Sequence, residues 1–359
     1  MIQTIETLEK IIETGTADLA EIIELLESRD DEQQLLYSAA REITQNIHGN
    51  VIFLRGLIEF SNCCCNNCLY CGIRAGAPGI QRYRMSADEI VATALKIKAS
   101  HCGTVVLQGG VDPDFSTAKL AEIIKQIKAE TSLAVTLSVG TKTEEELLVL
   151  RQAGADRFLL RFETSDQAIF SKIHPFESFE QRVACIRNLR PCGLQAGSGF
   201  MIGVPGSDIK TIASDILFTK NLELDMIGCG PFIPSPGTPL AQESLLSDLS
   251  VYYKTLALIR IMNPYAHIPA TTAFDSLCDG GRDEVMKCGA NVFMPNFTPP
   301  HYKKEYNLYP GKPQVDTSID IYEAVKERIE KMGRTVSSAI GDAIQPDAYG
   351  KNEYEHNNC

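Results

Sequence analysis

The chain has 359 residues, 44% of them hydrophobic, and a formal net charge of −12 at pH 7. That length can bury a substantial core in one large domain or two modest ones, and an acidic balance without a long basic run excludes nucleic acid and anionic membrane as natural partners. No apolar run reaches the length of a membrane span, and the start, MIQTIETLEKIIETGTADLAEII, is acidic and helix-patterned rather than a signal peptide, so the twelve cysteines read as cytoplasmic thiols, buried or metal-ligating, and not as a disulfide framework.

Residues 1–50 place Ile5, Leu8, Ile11 and Ile12, then Leu19, Ile22, Ile23 and Leu26, at helical spacing. They predict an N-terminal extension of two or three short helices with a break at Ser28-Arg29-Asp30-Asp31. From residue 51 the pattern turns to short apolar runs: Val51–Phe60, Gly103–Gly110, Leu133–Gly140, Arg157–Thr164, Gln195–Gly203, Met226–Phe232, His267–Phe274 and Ala290–Phe297. Between them lie the helix patterns Ala87–Ser100, Thr117–Glu130, Glu144–Ala153, Phe179–Arg190, Asp208–Leu222 and Leu249–Met262. Such alternation predicts an α/β fold with a parallel sheet, and residues 51 to 297 span roughly the 250 residues typical of a (β/α)8 TIM barrel. A doubly wound sheet would place a Gly-rich phosphate turn after its first strand, where this chain has cysteines. The barrel is expected to occupy 51–318, ending in the loop-like stretch TPPHYKKEYNLYPGKPQVDTS. Residues 319–359 then hold a final helix, Ile319–Met332, ended by Gly333, and an acidic tail that reads as loose after Gly341.

The segment SNCCCNNCLYCGIRAG follows the first strand, at the end of a barrel where active sites are built. Its Cys64, Cys68 and Cys71 have the spacing C-x3-C-x2-C. Three thiolates on one short loop can wrap three irons of a [4Fe–4S] cubane and leave the fourth iron open to a chelating ligand. A zinc site would want C-x2-C pairs and further ligands nearby, and only Cys68 and Cys71 form such a pair. Cys63 and Cys65 fall outside the register and read as inert thiols. No cysteine lies between Cys288 and Cys359, which leaves thiolates for one cluster only. Cys102, Cys185, Cys192, Cys229, Cys278 and Cys288 sit in apolar or turn contexts and read as core. His174 precedes Pro175 in a loop without a pattern that marks it as catalytic. Gly203-Val204-Pro205-Gly206 reads as a turn over the cofactor, since it lacks the Lys-Ser/Thr ending of a phosphate loop.

With Tyr70 just before its last cysteine, the C-x3-C-x2-C loop resembles the signature of the radical S-adenosylmethionine (SAM) superfamily. Further segments narrow the resemblance: EFSNCCCNNCLYCGIR, RYRMSADEIV, GADRFLLRFET, GSGFMIGVPG, DMIGCGPFIPSPGTPLA, IPATTA, CGANVFMPNFTP and YNLYPGK. In this order, from about residue 50 to about residue 333, they resemble the HydE family of [FeFe]-hydrogenase maturases. Methylornithine synthase, which shares the RYR and IPA-type segments, is the nearest related family.

The resemblance implies a biotin-synthase-like barrel in an anaerobic enzyme that binds one [4Fe–4S] cluster and SAM and reductively cleaves SAM to a 5′-deoxyadenosyl radical. It implies an iron–cysteine substrate carrying CO and CN ligands, on the way to the diiron subcluster of [FeFe] hydrogenase. It also implies an electron donor such as ferredoxin or flavodoxin, and other hydrogenase maturases as partners. The alternatives are an amino-acid-derived substrate, as in methylornithine synthase, and a non-catalytic iron–sulfur scaffold. By motif match, Tyr70 lies over the adenine, Glu163 holds the ribose hydroxyls, Arg182 holds the SAM carboxylate, and Gln108 and Ser138 line the cofactor. A bidentate carboxylate suits a vicinal diol and a guanidinium suits a carboxylate, although from the residues alone Glu163 and Arg182 read equally well as ion-paired scaffold. Deeper in the barrel the match places a substrate site at Arg161, Thr271, Thr272, Met294 and Tyr306, with Arg161 left over for an anion. Singly, Met294 reads as core packing and the two threonines as strand-end caps. Two positions depart from the family pattern. Phe162 stands where a His is common, and Val111, followed by Asp112, stands where an acidic residue neighbours the methionine end of SAM.

Overall fold

The computed structural model describes residues 2–311 and 321–344. Part of the expected loop 298–318, the start of the expected final helix at 319–320, and the tail from 345 lie outside the described residues.

Three helices precede the sheet: Ile2–Thr14, Leu19–Glu27 and Asp30–His48. The second begins with a capping box, in which Asp18 accepts from the Glu21 amide and the Glu21 side chain accepts from the Asp18 amide. The break before the third is shorter than the sequence suggests, because Asp30 already starts a helix of 19 residues. These helices pack on Ile209–Asn221 and Ser250–Met262 of the barrel's outer layer. At the break, buried Lys254 donates to the Ser28 carbonyl at 2.9 Å, which satisfies an ammonium that would be costly unpaired.

The sheet is parallel. Its strands are β1 (Val51–Ser61), β2 (Thr104–Gly109), β3 (Ala134–Ser138), β4 (Arg157–Leu159), β5 (Gln195–Ser198), β6 (Met201–Ile202), β7 (Met226–Ile227), β8 (Gly230–Pro231), β9 (Val292–Phe293) and β10 (Thr335–Ser337). Pairing runs β1-β2-β3-β4-β5-β7, and β9 pairs with the other edge of β1. The ring closes through the segment His267–Pro269, by the single bridges Met226↔His267 and Pro269↔Val292. This is the (β/α)8 architecture. The expected strand His267–Phe274 is therefore no strand: it contributes two bridges and then turns into a short helix, Ala273–Leu277. Three other runs are interrupted rather than continuous. Arg157–Thr164 stops at Leu159 and pairs again only at Glu163↔Phe200, Gln195–Gly203 breaks into β5 and β6 around Gly199 at φ 149°, and Met226–Phe232 breaks into β7 and β8.

The six expected barrel helices form within one or two residues of their expected bounds, Thr117–Glu130 without any change. Ser86 and Thr143 open two of them with capping boxes to Glu89 and Glu146. Among the described residues no helix is long and apolar enough to cross a membrane.

The N-terminal mouth of the barrel is closed by the chain's far end. After the helix Ile321–Lys331, β10 pairs with the start of β1, and residues 340–343 cross the barrel floor. Arg157, with no exposed surface, donates to the carbonyls of Ile340 and Gly341 at 3.1 and 3.0 Å and to the Asp342 carboxylate at 2.8 Å. Arg55 donates to the Gly341 carbonyl at 3.2 Å, and His267 contacts the Asp342 carbonyl at 3.1 Å. Gly341 to Ala343 are thus held in place, where composition suggests a loose tail.

Candidate active site

The cysteine loop leaves β1 at Ser61 and is pinned from several sides. Buried Asn62 accepts from the Tyr83 amide at 2.7 Å and donates to the carbonyls of Gln81 and Glu305 at 2.9 Å each. Two close approaches require glycine. A Cβ on Gly110 would lie 2.1 Å from the Cys63 carbonyl oxygen, and one on Gly72 would lie 1.9 Å from the Asn307 carbonyl oxygen. The Val111 amide points at Cys64 Sγ (3.4 Å), and the Cys65 amide donates to the Val111 carbonyl at 2.8 Å.

Cys64, Cys68 and Cys71 line one cavity of about 310 Å³ at the C-terminal end of the barrel; Cys63 and Cys65 do not. Burial pushes the Cys64 and Cys68 thiols up and the Cys71 thiol to about 12. Thiols in such surroundings become ligands when a bound cation removes their protons. Among the described residues no three His, Cys, Asp or Glu side chains converge around one point as a single metal ion needs. The three thiols line the same cavity, and their chemistry suits a cluster taking one thiolate per iron.

Every residue that the sequence singled out for SAM or substrate also lines this cavity: Tyr70, Gln108, Ser138, Arg161, Glu163, Arg182, Thr271, Thr272, Met294 and Tyr306. The polar group at its centre is a chain of charges. Arg161 pairs with Glu163 at 2.9 Å, Arg182 lies 3.8 Å from Glu163, and Arg182 pairs with Glu177 at 2.5 Å. Arg182 also donates from Nε to the Arg161 carbonyl at 2.6 Å. Arg161, which the motif match leaves for an anion, is paired with Glu163 here. The reason is local. Two positions apart, the side chains share the cavity face while Phe162 between them turns away, although β4 has ended at Leu159 and Glu163 takes a left-handed backbone at φ 68° in the turn that follows. Asp215 holds that turn by accepting from the Ser165 amide at 2.5 Å and from the Thr164 hydroxyl at 3.3 Å. Left-handed backbone at a non-glycine residue costs about 1–3 kcal/mol and persists where surrounding contacts over-determine it.

On the inner wall Gln108 donates to the Tyr306 hydroxyl at 3.4 Å, and Thr271 donates to the Cys229 carbonyl at 3.2 Å. Phe162 turns outward, buried between Phe200 and Phe218, so the departure at this position falls in the packing layer and not in the cavity. Val111 does line the cavity, whereas the neighbouring Asp112 is turned to Arg84 and Ser61, each at 2.7 Å, and cannot stand in for a carboxylate there. The Gly203–Gly206 segment is a turn, as expected, and its Val204 packs with Ile169, Ile173, Met201 and Phe232 beneath Tyr70.

Three residues escape sequence reasoning. Glu59 lines the cavity and accepts from Asn296 at 2.9 Å. Its signal was present, since Arg55 and Glu59 are the charged members of an otherwise apolar strand, at the even spacing of one face. His174 is buried and lies 3.3 Å from Cys68 Sγ and 3.0 Å from the Tyr70 hydroxyl. For Glu177, burial alone would raise the carboxyl, but the His174 hydrogen bond and the Arg182 guanidinium outweigh it and hold it down at about 2. Neither residue has a local signal in the sequence.

Comparison with known proteins supports the geometry. Residues 58–218 match the Radical SAM superfamily. The chain is 42% identical over 302 residues to the [FeFe] hydrogenase maturase subunit HydE of Thermotoga maritima, covering 84% of this chain and 86% of that protein. It is 30% identical over 330 residues to 3-methylornithine synthase of Methanosarcina acetivorans, covering 90% and 92% of the two chains. Among solved structures, methylornithine synthase (PylB) superposes with a TM-score of 0.79 at 26% identity, over 96% of this chain and 99% of that one. An open-cluster cysteine loop at the mouth of a (β/α)8 barrel, continued by likeness along most of its length, makes this chain an enzyme of the radical SAM superfamily and a member of its HydE family.

Proposed function

We propose that this enzyme is a HydE-like maturase that cleaves SAM reductively and acts on a small iron–cysteine substrate during assembly of the [FeFe]-hydrogenase diiron subcluster. One observation carries the reading: Cys64, Cys68 and Cys71, the residues proposed for SAM and those proposed for substrate line a single cavity. When bound, the [4Fe–4S] cluster supplies the electron for SAM cleavage and an open iron to anchor the methionine end. The remaining work falls to the chain. Cys64, Cys68 and Cys71 would each hold one iron of the cluster. Glu163 offers a bidentate carboxylate to the ribose diol and Arg182 a guanidinium to the SAM carboxylate, with Tyr70 over the adenine and Gln108 and Ser138 along its flank. Arg161, Thr271, Thr272, Met294 and Tyr306 form the substrate end: one cation, neutral hydrogen-bonding groups and a soft apolar wall. Tyr306 is the buried member of this wall and the other four are half-buried, while the radical chemistry itself is the cofactor's.

The test is anaerobic reconstitution followed by SAM, reductant and candidate substrates, with products read by mass spectrometry and EPR. Turnover of an iron–cysteine complex with CO and CN ligands supports the reading. Turnover of lysine to methylornithine places the chain with the synthases instead, and absence of any SAM cleavage leaves a cluster scaffold. Arg161→Met is expected to retain the cluster and uncoupled SAM cleavage and to lose most substrate-dependent product, with Arg161→Lys recovering only part, because the planar fork is gone. Since Arg161 also pairs with Glu163, SAM affinity should be measured alongside. A variant that loses SAM binding altogether assigns the arginine to the cofactor and not to the substrate.

A further inference from the structure

The imidazole of His174 lies at the junction of three elements. It caps the helix Gln167–Ile173, its ring stacks on Phe170 at 4.7 Å with planes 5° apart, and it is 2% exposed. The same helix end holds the cysteine loop, because the Leu69 amide donates to the Ile173 carbonyl at 2.9 Å. Nε2 is 3.0 Å from the Tyr70 hydroxyl, and Nδ1 is 3.3 Å from Cys68 Sγ and 3.3 Å from the Glu177 carboxylate.

These contacts fix the tautomer. A neutral imidazole has one donor and one acceptor, and a phenol has a proton to give. The Glu177 carboxylate 3.3 Å from Nδ1 can only accept, so the ring proton sits on Nδ1, where it faces that carboxylate and the Cys68 sulfur together, and Tyr70 donates to Nε2. Glu177 is itself anchored by Arg182 at 2.5 Å and by the Thr141 hydroxyl at 2.5 Å, so the ring is held on every edge that can rotate it.

We propose that His174 is a positioning residue for the cluster: it fixes Cys68 and Tyr70 together and, through its Nδ1–H on the Cys68 sulfur, raises the reduction potential of the [4Fe–4S] centre. This rests on the reading of Cys64, Cys68 and Cys71 as cluster ligands. Reduction adds negative charge to the cluster, so a donor on a ligand sulfur stabilises the reduced state more than the oxidised one. Hydrogen bonds to cluster sulfurs are among the levers that set such potentials. Because SAM cleavage needs the reduced cluster, the device would favour loading of that electron from the donor without touching SAM.

The experiment uses the full chain, reconstituted anaerobically, as wild type, His174→Phe and His174→Gln. Iron per chain, a potentiometric EPR titration and SAM affinity are measured. His174→Phe keeps the aromatic packing but has no donor, whereas a glutamine amide can still donate to sulfur. His174→Phe is expected to load as much iron as wild type and to titrate at lower potential, with a reduced-to-oxidised ratio about tenfold lower at fixed potential, or 59 mV for a one-electron couple. His174→Gln should recover part of the shift. A fully loaded His174→Phe with an unchanged midpoint overturns the proposal and leaves the ring as packing. If His174→Phe fails to load iron, His174→Leu, which likewise has no donor, takes its place, and an unchanged midpoint in that loaded variant also overturns the proposal. A wild-type protein that takes up no four-iron cluster instead overturns the ligand assignment beneath it, which Cys→Ala variants identify separately.

Discussion

Replacing Cys64, Cys68 or Cys71 by alanine, one at a time, is expected to abolish both the [4Fe–4S]+ EPR signal and SAM cleavage, a complete loss of activity. With these three proposed as its only protein ligands the cluster already has one open iron, and removing a second attachment leaves a site that cannot hold a cubane under turnover. The neighbours supply the control. Cys63 is buried with its sulfur toward the Tyr83 carbonyl, Cys65 is exposed, and neither lines the cavity. Cys63→Ala and Cys65→Ala should therefore retain cluster, EPR signal and cleavage. If Cys63 or Cys65 proves essential while Cys64 is dispensable, the ligand register is shifted and the loop must rearrange on loading.

The second large effect is expected far from the cluster. Ending the chain after Ser338 removes the segment that closes the barrel floor. Arg157 would lose the Ile340 and Gly341 carbonyls and the Asp342 carboxylate, and would keep only Thr104 and Gln195, at 2.9 Å each. Arg55 would lose the Gly341 carbonyl. Stripping partners from a buried cation costs about 3–5 kcal/mol, a large part of the roughly 5–15 kcal/mol that holds a typical domain together. The truncated protein should unfold at a markedly lower urea concentration, or fail to accumulate in soluble form. Asp342→Ala is the milder comparison: both carbonyls remain to Arg157, and the expected loss is about 1 kcal/mol. A truncated chain as resistant to urea as the full one would mean that water replaces the missing acceptors and the segment is dispensable.

The order of strands and helices was legible because hydrophobic periodicity reports burial, and burial in the first strands is regular: β1, β2 and β3 lie within the expected runs or one residue beyond. From β4 onward the runs were overestimated. At Glu163, Gly199 and around Gly228 the backbone leaves the ladder to shape the cavity, yet its side chains stay buried, so the apolar pattern continues where the strand does not. The cysteine loop and the residues carried by motif could be read because each lies in a short segment with its own signature. Glu177, His174 and the floor contacts could not. Asp342 and Arg157 are 185 positions apart, and no local pattern in a single sequence connects them.

The ring closure described above divides the barrel into regions of unequal stiffness. From β1 to β3 neighbouring strands share continuous ladders, as in Thr104–Gln108 against Ala134–Ser138. The opposite side, from Met226 through His267–Pro269 to Val292, is stitched by isolated bridges. Free energies of local opening follow such differences in backbone bonding. The cysteine loop, Gln108 and Ser138 stand on the stiff arc, while Thr271, Thr272 and Met294 stand on or beside the seam. A molecule built this way can breathe at the wall proposed to face its substrate while keeping a rigid bed for its metal, so a bulky guest can enter or leave without loosening the thiolates.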